Sequence, residues 1–556
     1  MKRHRRMDWV GLACLLICHV NAEGNDFIRE LQTQAIATGK SPVGHWGIDP
    51  NQYHSWRDHS NRLIPVYTYG TKDAPAGISP IAYQGNNSPY RSEVALKRLY
   101  GRVPEKTLNP TAEYFDQTNL FEMQKAALKA GKKHIFLVIF DGMDWQTTRA
   151  AAIYVKQKIS YTEGRGDALH FQQYDAAGTS EFGFMVTSPH NDGTNVDVDQ
   201  QTIKNPGGTL LGGYDPDRAG RFPWENGNDI PYLIAEPKTD PARQAFTDSS
   251  SSATSMTTGI KTCNNAVNVD HNGTLVPTIA HLAQIEGYAV GAVTSVPISH
   301  ATPAAAYAHN VHRDDYQDLT RDLLGLPSIS HPQESLPGLD VLIGAGWGVD
   351  VLISNSQGKN FEPGNQFLTY ADKMKVDADH GGNYVVVERT DGVLGREGLS
   401  RSVGRAINDK KRLLGLYGVR KTSHLPYLTA DGDYKPAPGP KKTEEYTEAD
   451  LAENVTLAEM TQGAIDVLSQ NPHGFWLMVE AGDVDWANHD NNLDTSIGAV
   501  ISGDRAVKVI TDWVEKNSNW KDSLMIVTAD HAHYLFLDQP EELISPENRQ
   551  KSSQGP

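Results

Sequence analysis

Residues 246–259 read FTDSSSSATSMTTG, four consecutive serines behind an aspartate. Asp248, the small residues after it and Gly259 predict a helix that starts at the serines and ends at the glycine. A serine at such a start faces free backbone N–H groups and the positive end of the helix dipole, which together favour an anion. A serine run alone is a linker; its company elsewhere in the chain makes it a candidate nucleophile. Asp141, Asp485 and Asp530, with His489 and His531, offer carboxylate oxygen and imidazole nitrogen together, a mixture that suits zinc. Asp485 and His489 are four apart, so one helical turn aims both at one ion. Asp530 and His531 are adjacent and can diverge around another. Asp141, Glu480 and Thr302 form an all-oxygen set that suits magnesium. Zinc beside a serine hydroxyl lowers its pKa and makes it an attacking alkoxide.

These residues need elements to hold them. His134–Phe140, HIFLVIF, is an unbroken apolar run followed at once by DGMD, the pattern of a strand buried on both faces. A helix is predicted over 145–157. Thr278–Glu286 reads as helix and Tyr288–Val296 as strand. Leu451–Leu468 reads as one long helix, and Phe475–Val479 as a strand ending in EAGDVD. Ser496–Glu515 reads as helix and Leu524–Val527 as a strand ending in TADHAH. This alternation predicts an α/β fold, a doubly wound, mainly parallel sheet with helices on both faces. Ligands in such sheets sit beyond the carboxyl ends of the strands, where Asp141, Glu480 and Asp530 all fall. Residues 158–245 and 314–450 read as large surface insertions. Residues 24–130 carry no assignable chemistry.

The chain has 556 residues and a formal charge of −17, which argues against nucleic acid as a partner. MKRHRR, the short apolar run Trp9–Val20 and the small-residue site at Ala22 predict a signal peptide over 1–22 and a secreted or periplasmic protein with no stable membrane anchor after cleavage. The mature chain, 23–556, then reads as one α/β domain. It keeps a single cysteine, Cys263, so no intrachain disulfide is available.

Five motifs occur together: DGM (141–143), TDSSSSAT (247–254), HATPAAAYAHNVHR (300–313), EAGDVDWANH (480–489) and TADHAH (528–533). In order and spacing the set resembles the alkaline phosphatase family. The resemblance implies hydrolysis of small phosphate monoesters through a phosphoserine, with two zinc ions and one magnesium ion, often in a homodimer. Position by position it implies Ser249 as nucleophile. Asp141, Asp530 and His531 would hold the zinc that activates it, and Asp485 and His489 the other zinc. Asp141, Thr302 and Glu480 would hold magnesium, and Arg313 would grip phosphate oxygens with its planar fork. Asp248, His300, Trp486 and His533 would stand just outside these ligands. His300 and Trp486 fall where family members vary: His in the magnesium shell favours zinc there, and Trp in place of Lys or His weakens phosphate retention.

The family also places a third histidine of the Asp485/His489 zinc well downstream of TADHAH. No histidine follows His533 here. The resemblance therefore implies a C-terminally truncated member with two protein ligands on that zinc, unless another histidine substitutes. The rival functions are a weakly active or inactive phosphate-binding remnant and a related metal-dependent phosphodiesterase. A sulfatase is disfavoured, because neither Cys263 nor Ser249 has the C-x-P-x-R-like setting its modified nucleophile needs.

Overall fold

The computed structural model describes residues 26–53, 58–204, 208, 210–233, 243–441 and 443–553. The predicted signal peptide lies outside them. No helix among the described residues is long and apolar enough to cross a membrane.

The core is a ten-stranded sheet. In chain order its strands are β1 Ile64–Tyr69, β2 Phe115–Asp116, β3 His134–Phe140, β4 Glu181–Val186, β5 Ala289–Pro297, β6 Val341–Ala345, β7 Tyr384–Glu388, β8 Arg412–Leu416, β9 Phe475–Ala481 and β10 Ser523–Thr528. Their spatial order is β7-β8-β6-β5-β9-β3-β10-β1-β4-β2. From β7 to β10 every pairing is parallel; β1 runs against both its neighbours, and β4 and β2 pair in parallel. The central strands β3, β9 and β10 are apolar on both sides and buried, as strands covered by helices on two faces must be.

The helices that position the site are α1 Thr118–Lys129, α2 Trp145–Lys156, α3 Ser249–Thr258, α4 Ile279–Ile285, α5 Ala301–Ala305, α6 Gly395–Asp409, α7 Leu457–Leu468, α8 Asp483–His489 and α9 Leu493–Asn517. α1, α3, α4 and α5 pack together on one face, and α2, α6, α7 and α9 on the other. The doubly wound α/β architecture follows directly.

Two expectations change. The helix read over Leu451–Leu468 is two helices, Glu448–Ala452 and α7, because Thr456 starts α7 with its own capping box to Glu459. The stretches 158–245 and 314–450 also build the sheet: the first supplies β4 and the second β6, β7 and β8. Their apolar runs are only about five residues long, and intervening loops hide the helix–strand rhythm.

The helix carrying the serines is fixed from both ends. Asp248 caps it by accepting from the Ser251 amide (3.0 Å), and Gly259 closes it at φ 75°, a left-handed conformation natural to glycine. Just past that end, Lys261 forms a fully buried ion pair with Asp116 of β2 (2.9 Å). Asp116 also accepts from the Tyr90 hydroxyl (2.6 Å) and the Thr118 amide (3.0 Å). Replacing Lys261 by Met strands a buried carboxylate, a class of change that costs about 3–5 kcal/mol. The remaining donors keep Lys261→Met near the lower end, about 3 kcal/mol. The check is the unfolding free energy from urea denaturation.

Candidate active site

β3 ends at Phe140, and Asp141 is the next residue; β9 carries Glu480 near its end; β10 ends two residues before Asp530. Parallel neighbours in register bring these three acids to one rim. Asp141, Glu480, Asp530 and His531 are fully buried and Asp485 nearly so. Carboxylates crowded in one dry pocket repel each other. Burial, then Asp530 and Asp485, holds Asp141 well above the usual carboxylate range. Burial also pushes Glu480 up to about 8, against the hydrogen bond from Thr294. Asp485 goes the other way: burial raises it, but His489, His533 and His531 outweigh that and hold it well below the ordinary value.

The serine run is not a linker. Ser249 to Ser252 are all buried at the first turn of α3. Ser250 donates to Asp248 Oδ2 (2.7 Å), Ser251 to Asn264 Oδ1 (2.8 Å) and Ser252 to the Asp530 carbonyl (2.6 Å). Ser252 also accepts from Gln117 Nε2 (2.7 Å). Ser252 thus ties the helix to the rim, while Ser250 and Ser251 fix its start and the loop beyond it. The Ser249 hydroxyl faces the carboxylate cluster, 3.4 Å from Asp141 Oδ1 and 3.2 Å from His531 Nε2.

Arg313 lies beside it. Its Nη1 donates to Asp248 Oδ2 (3.0 Å) and its Nη2 to His300 Nε2 (3.1 Å). Burial opposes the Arg313 charge, and Asp248 more than compensates. His300, by accepting from Arg313, must carry its hydrogen on Nδ1. Its pKa falls to about 3 through burial and then Arg313, so it stays neutral and orients the guanidinium. Trp486 stands edge-on to His300 (ring centroids 5.7 Å) and to His424 (5.5 Å).

Donor atoms of Asp141, Asp530 and His531 lie within 4.8 Å of one another, as do those of Asp141, His300 and Glu480. His531 Nε2 is 3.1 Å from Asp141 Oδ1. Asp141 Oδ2, Asp530 Oδ2, Glu480 Oε1 and Thr302 Oγ1 are buried with no hydrogen-bond partner in the protein. Buried oxygens of this kind carry a large free-energy penalty unless a cation satisfies them. The donor set therefore fits divalent metal ions. Gly142 permits the crowding: at φ +67° its missing Cβ would lie 2.6 Å from His533 Cδ2.

One residue of this cluster has no counterpart in the sequence reading. His59 lies five residues before β1 and joins Asp485, His531 and His533, with donor atoms within 4.8 Å. Its Nδ1 is 2.9 Å from the Thr247 carbonyl, so Nδ1 carries the hydrogen and Nε2 the lone pair. That Nε2 is 3.2 Å from His489 Nε2 and 3.8 Å from Asp485 Oδ1. The ring stacks on His531 at 3.7 Å. Burial, then His531 and His489, depresses its pKa well below the ordinary value, leaving a neutral imidazole. His59 thus offers Asp485 and His489 a neutral imidazole nitrogen from the other side of the sequence. The one available signal was the DHSNR stretch ahead of an apolar run, IPVYTY, too slight to mark a ligand. His533 donates from Nε2 to Asp485 Oδ1 (2.6 Å) and so orients that carboxylate.

The family model described as "Alkaline phosphatase" matches residues 225–546, more than half of the chain. The chain belongs to the alkaline phosphatase family. It is 32% identical over 304 residues to the alkaline phosphatase of Escherichia coli (strain K12), covering 53% of this chain and 60% of that protein. It is 29% identical over 303 residues to alkaline phosphatase 3 of Bacillus subtilis (strain 168), covering 54% and 53%. The chain thus spans about half to three-fifths of these curated relatives. Among solved structures, the Thermus thermophilus alkaline phosphatase aligns at 22% identity with a TM-score of 0.43, over 72% of this chain and 60% of that one. Both His59 and Asp141 precede the stretch matched by the alkaline phosphatase model, so their place in the site rests on the fold.

The geometry separates two neighbours of Asp485. Should zinc sit at Asp485 and His489, His59→Ala, which removes a donor, is expected to lower zinc affinity by more than about 100-fold, beyond the 10–100-fold typical of losing an outer partner. His533→Ala falls within that smaller range. Competition with a chromophoric chelator measures both.

Proposed function

We infer that the chain hydrolyses phosphate monoesters in two displacements through a phosphoserine at Ser249. The observation that carries this reading is the Ser249 hydroxyl at the N-terminus of α3, facing Asp141 and His531 at 3.4 and 3.2 Å. In this reading Asp141, Asp530 and His531 hold one zinc; Asp485, His489 and His59 hold the second; Asp141, Thr302 and Glu480 hold magnesium. Bound there, these ions supply positive charge to the reacting oxygens and ease the loss of a proton from the serine and from water.

The protein's own groups do the rest. The first-turn amides of α3 and the Arg313 fork receive the non-bridging phosphate oxygens. Asp248 and His300 fix the guanidinium plane before substrate arrives, which limits the ordering entropy on binding. In the first step the Ser249 oxygen bonds to phosphorus, the ester P–O bond breaks, and the alcohol leaves with a proton from solvent. In the second step water bonds to phosphorus, the serine–phosphorus bond breaks, phosphate departs and Ser249 regains a proton.

Two rival readings weaken. A diester has fewer free oxygens for a fork anchored as Arg313 is. The inactive-remnant reading rested on two protein ligands at the Asp485/His489 ion, and His59 supplies a third donor.

Acid quenching after incubation with labelled phosphate should trap label on the wild type and none on Ser249→Ala. Hydrolysis of an aryl phosphate should fall on the order of 10³-fold or more, as when a covalent nucleophile is removed elsewhere. Undiminished labelling of Ser249→Ala would overturn the assignment.

A further inference from the structure

A second constellation of metal-type donors lies outside the catalytic rim. Donor atoms of His309, Asp322 and His331 fall within 4.8 Å of one another. His309 follows α5 and precedes Arg313 by four residues; Asp322 belongs to the helix Tyr316–Leu324; His331 lies in the loop beyond it. These are three separate chain segments, and neither His331 nor Asp322 has a part in the catalytic reading.

The state of each donor is fixed by its neighbours. His309 is 4% exposed. Its Nε2 is 2.9 Å from the Val276 carbonyl, which only accepts, so Nε2 carries the hydrogen. Nδ1 therefore bears the lone pair, and it is buried without a partner. A carbonyl that sets the tautomer of a histidine whose other nitrogen is free is the arrangement found behind metal-binding imidazoles. Asp322 is fully buried. It accepts from the His309 amide (2.9 Å) and from the Ser328 hydroxyl (2.5 Å). His331 Nδ1 is 3.0 Å from Asp322 Oδ1 and 3.2 Å from Oδ2, a contact that needs a proton or a cation between the two groups.

A fourth group adjoins them. The His281 ring stacks on His309 at 5.3 Å, nearly parallel; its Nδ1 accepts from the Thr278 amide (3.0 Å), so Nε2 carries the hydrogen and His281 lines the site without offering it a lone pair. Burial keeps both rings neutral at ordinary pH. The buried lone pair on His309 Nδ1, beside the Asp322 carboxylate and the His331 ring, is poorly satisfied by protein groups alone. It matches a borderline divalent ion that takes nitrogen and oxygen together.

We propose that His309, Asp322 and His331 form a separate zinc site that ties the helix Tyr316–Leu324 and the following loop to the segment leading into Arg313. The ion is structural: it touches no substrate and acts by fixing His309, with Asn310, whose side-chain amide donates to Asp315 (2.8 Å), continuing the brace toward Arg313. The site is independent of the phosphoserine reading, since its donors stand whether or not Ser249 is a nucleophile.

The test counts zinc by plasma mass spectrometry on the full chain, after equilibration with zinc and removal of the excess. The variants are His331→Ala, at a partly exposed position, and His309→Gln, which keeps an amide donor for the Val276 carbonyl. Each should lose one zinc per chain relative to the wild type. A chain carrying His489→Ala and His59→Ala should still lose that same ion when His331→Ala is added. In the cobalt-loaded protein, His331→Ala should remove one set of visible d–d bands. Equal zinc content in the wild type and both variants, or cobalt spectra unchanged by His331→Ala, would overturn the proposal.

Discussion

Mutual repulsion among four buried carboxylates governs this molecule. Asp141, Glu480, Asp485 and Asp530 converge where the parallel strands end, in a place too dry to screen them. The polypeptide answers with protons and imidazoles: Asp141 and Glu480 are pushed toward their neutral forms, while Asp485 is kept charged by three histidines. Divalent ions would take over from those protons. Groups with raised pKa release protons as ions enter, so metal affinity rises with pH until they have ionised. A site of this design would therefore hold divalent ions more tightly as pH rises.

The serine run completes the same design. A helix N-terminus aimed at a carboxylate cluster would be unfavourable if an acid sat at its first position. It is favourable with a small neutral hydroxyl there and with acidic Asp248 as the cap. Ser252 binds the helix to the Asp530 carbonyl, so the nucleophile position and the metal-type donors move as one body. Arg313, held by Asp248 and His300, would in the proposed reaction bring a fixed positive charge to the phosphate. Anion site, nucleophile and cation site thus share two residues, Asp248 and Asp141.

Much of this was legible in the sequence because it is local. HIFLVIF followed by DGMD announces a buried strand with an acid at its end, and EAGDVDWANH places Asp485 and His489 on one turn. The parallel register that joins Asp141 to Glu480 and Asp530 follows from that alternation. The strands β6, β7 and β8 at one end of the sheet were obscured because VLIGA, YVVVE and RLLGL are short and sit among loops. The break before α7 was signalled by Thr456 and Glu459, a capping pair that helical periodicity overrode. His59 had almost no local signature: Asp485, His489, His531 and His533 lie more than 400 residues away, and DHSNR does not distinguish a ligand from a polar loop histidine.

Such a long-range donor is less costly than its separation suggests. Loop-closure entropy grows only with the logarithm of length, so a tenfold longer loop costs about 2 kcal/mol more. The segment around His59 offsets that with contacts of its own. Ser60 pairs with Ala532 and donates to the His533 carbonyl (3.0 Å), and Arg62 reaches Asp144 (2.7 Å) and the Leu535 carbonyl (2.8 Å). Beyond them β1 docks antiparallel on β10, the strand that leads into Asp530 and His531. The ladder fixes the register of β1, and the register fixes how far His59 reaches across the rim. A one-residue slip would turn every β1 side chain to the opposite face and carry His59 away from His489. The second metal position is therefore specified by strand pairing as much as by any motif, and its placement follows the order of packing in space rather than the order of residues in the chain.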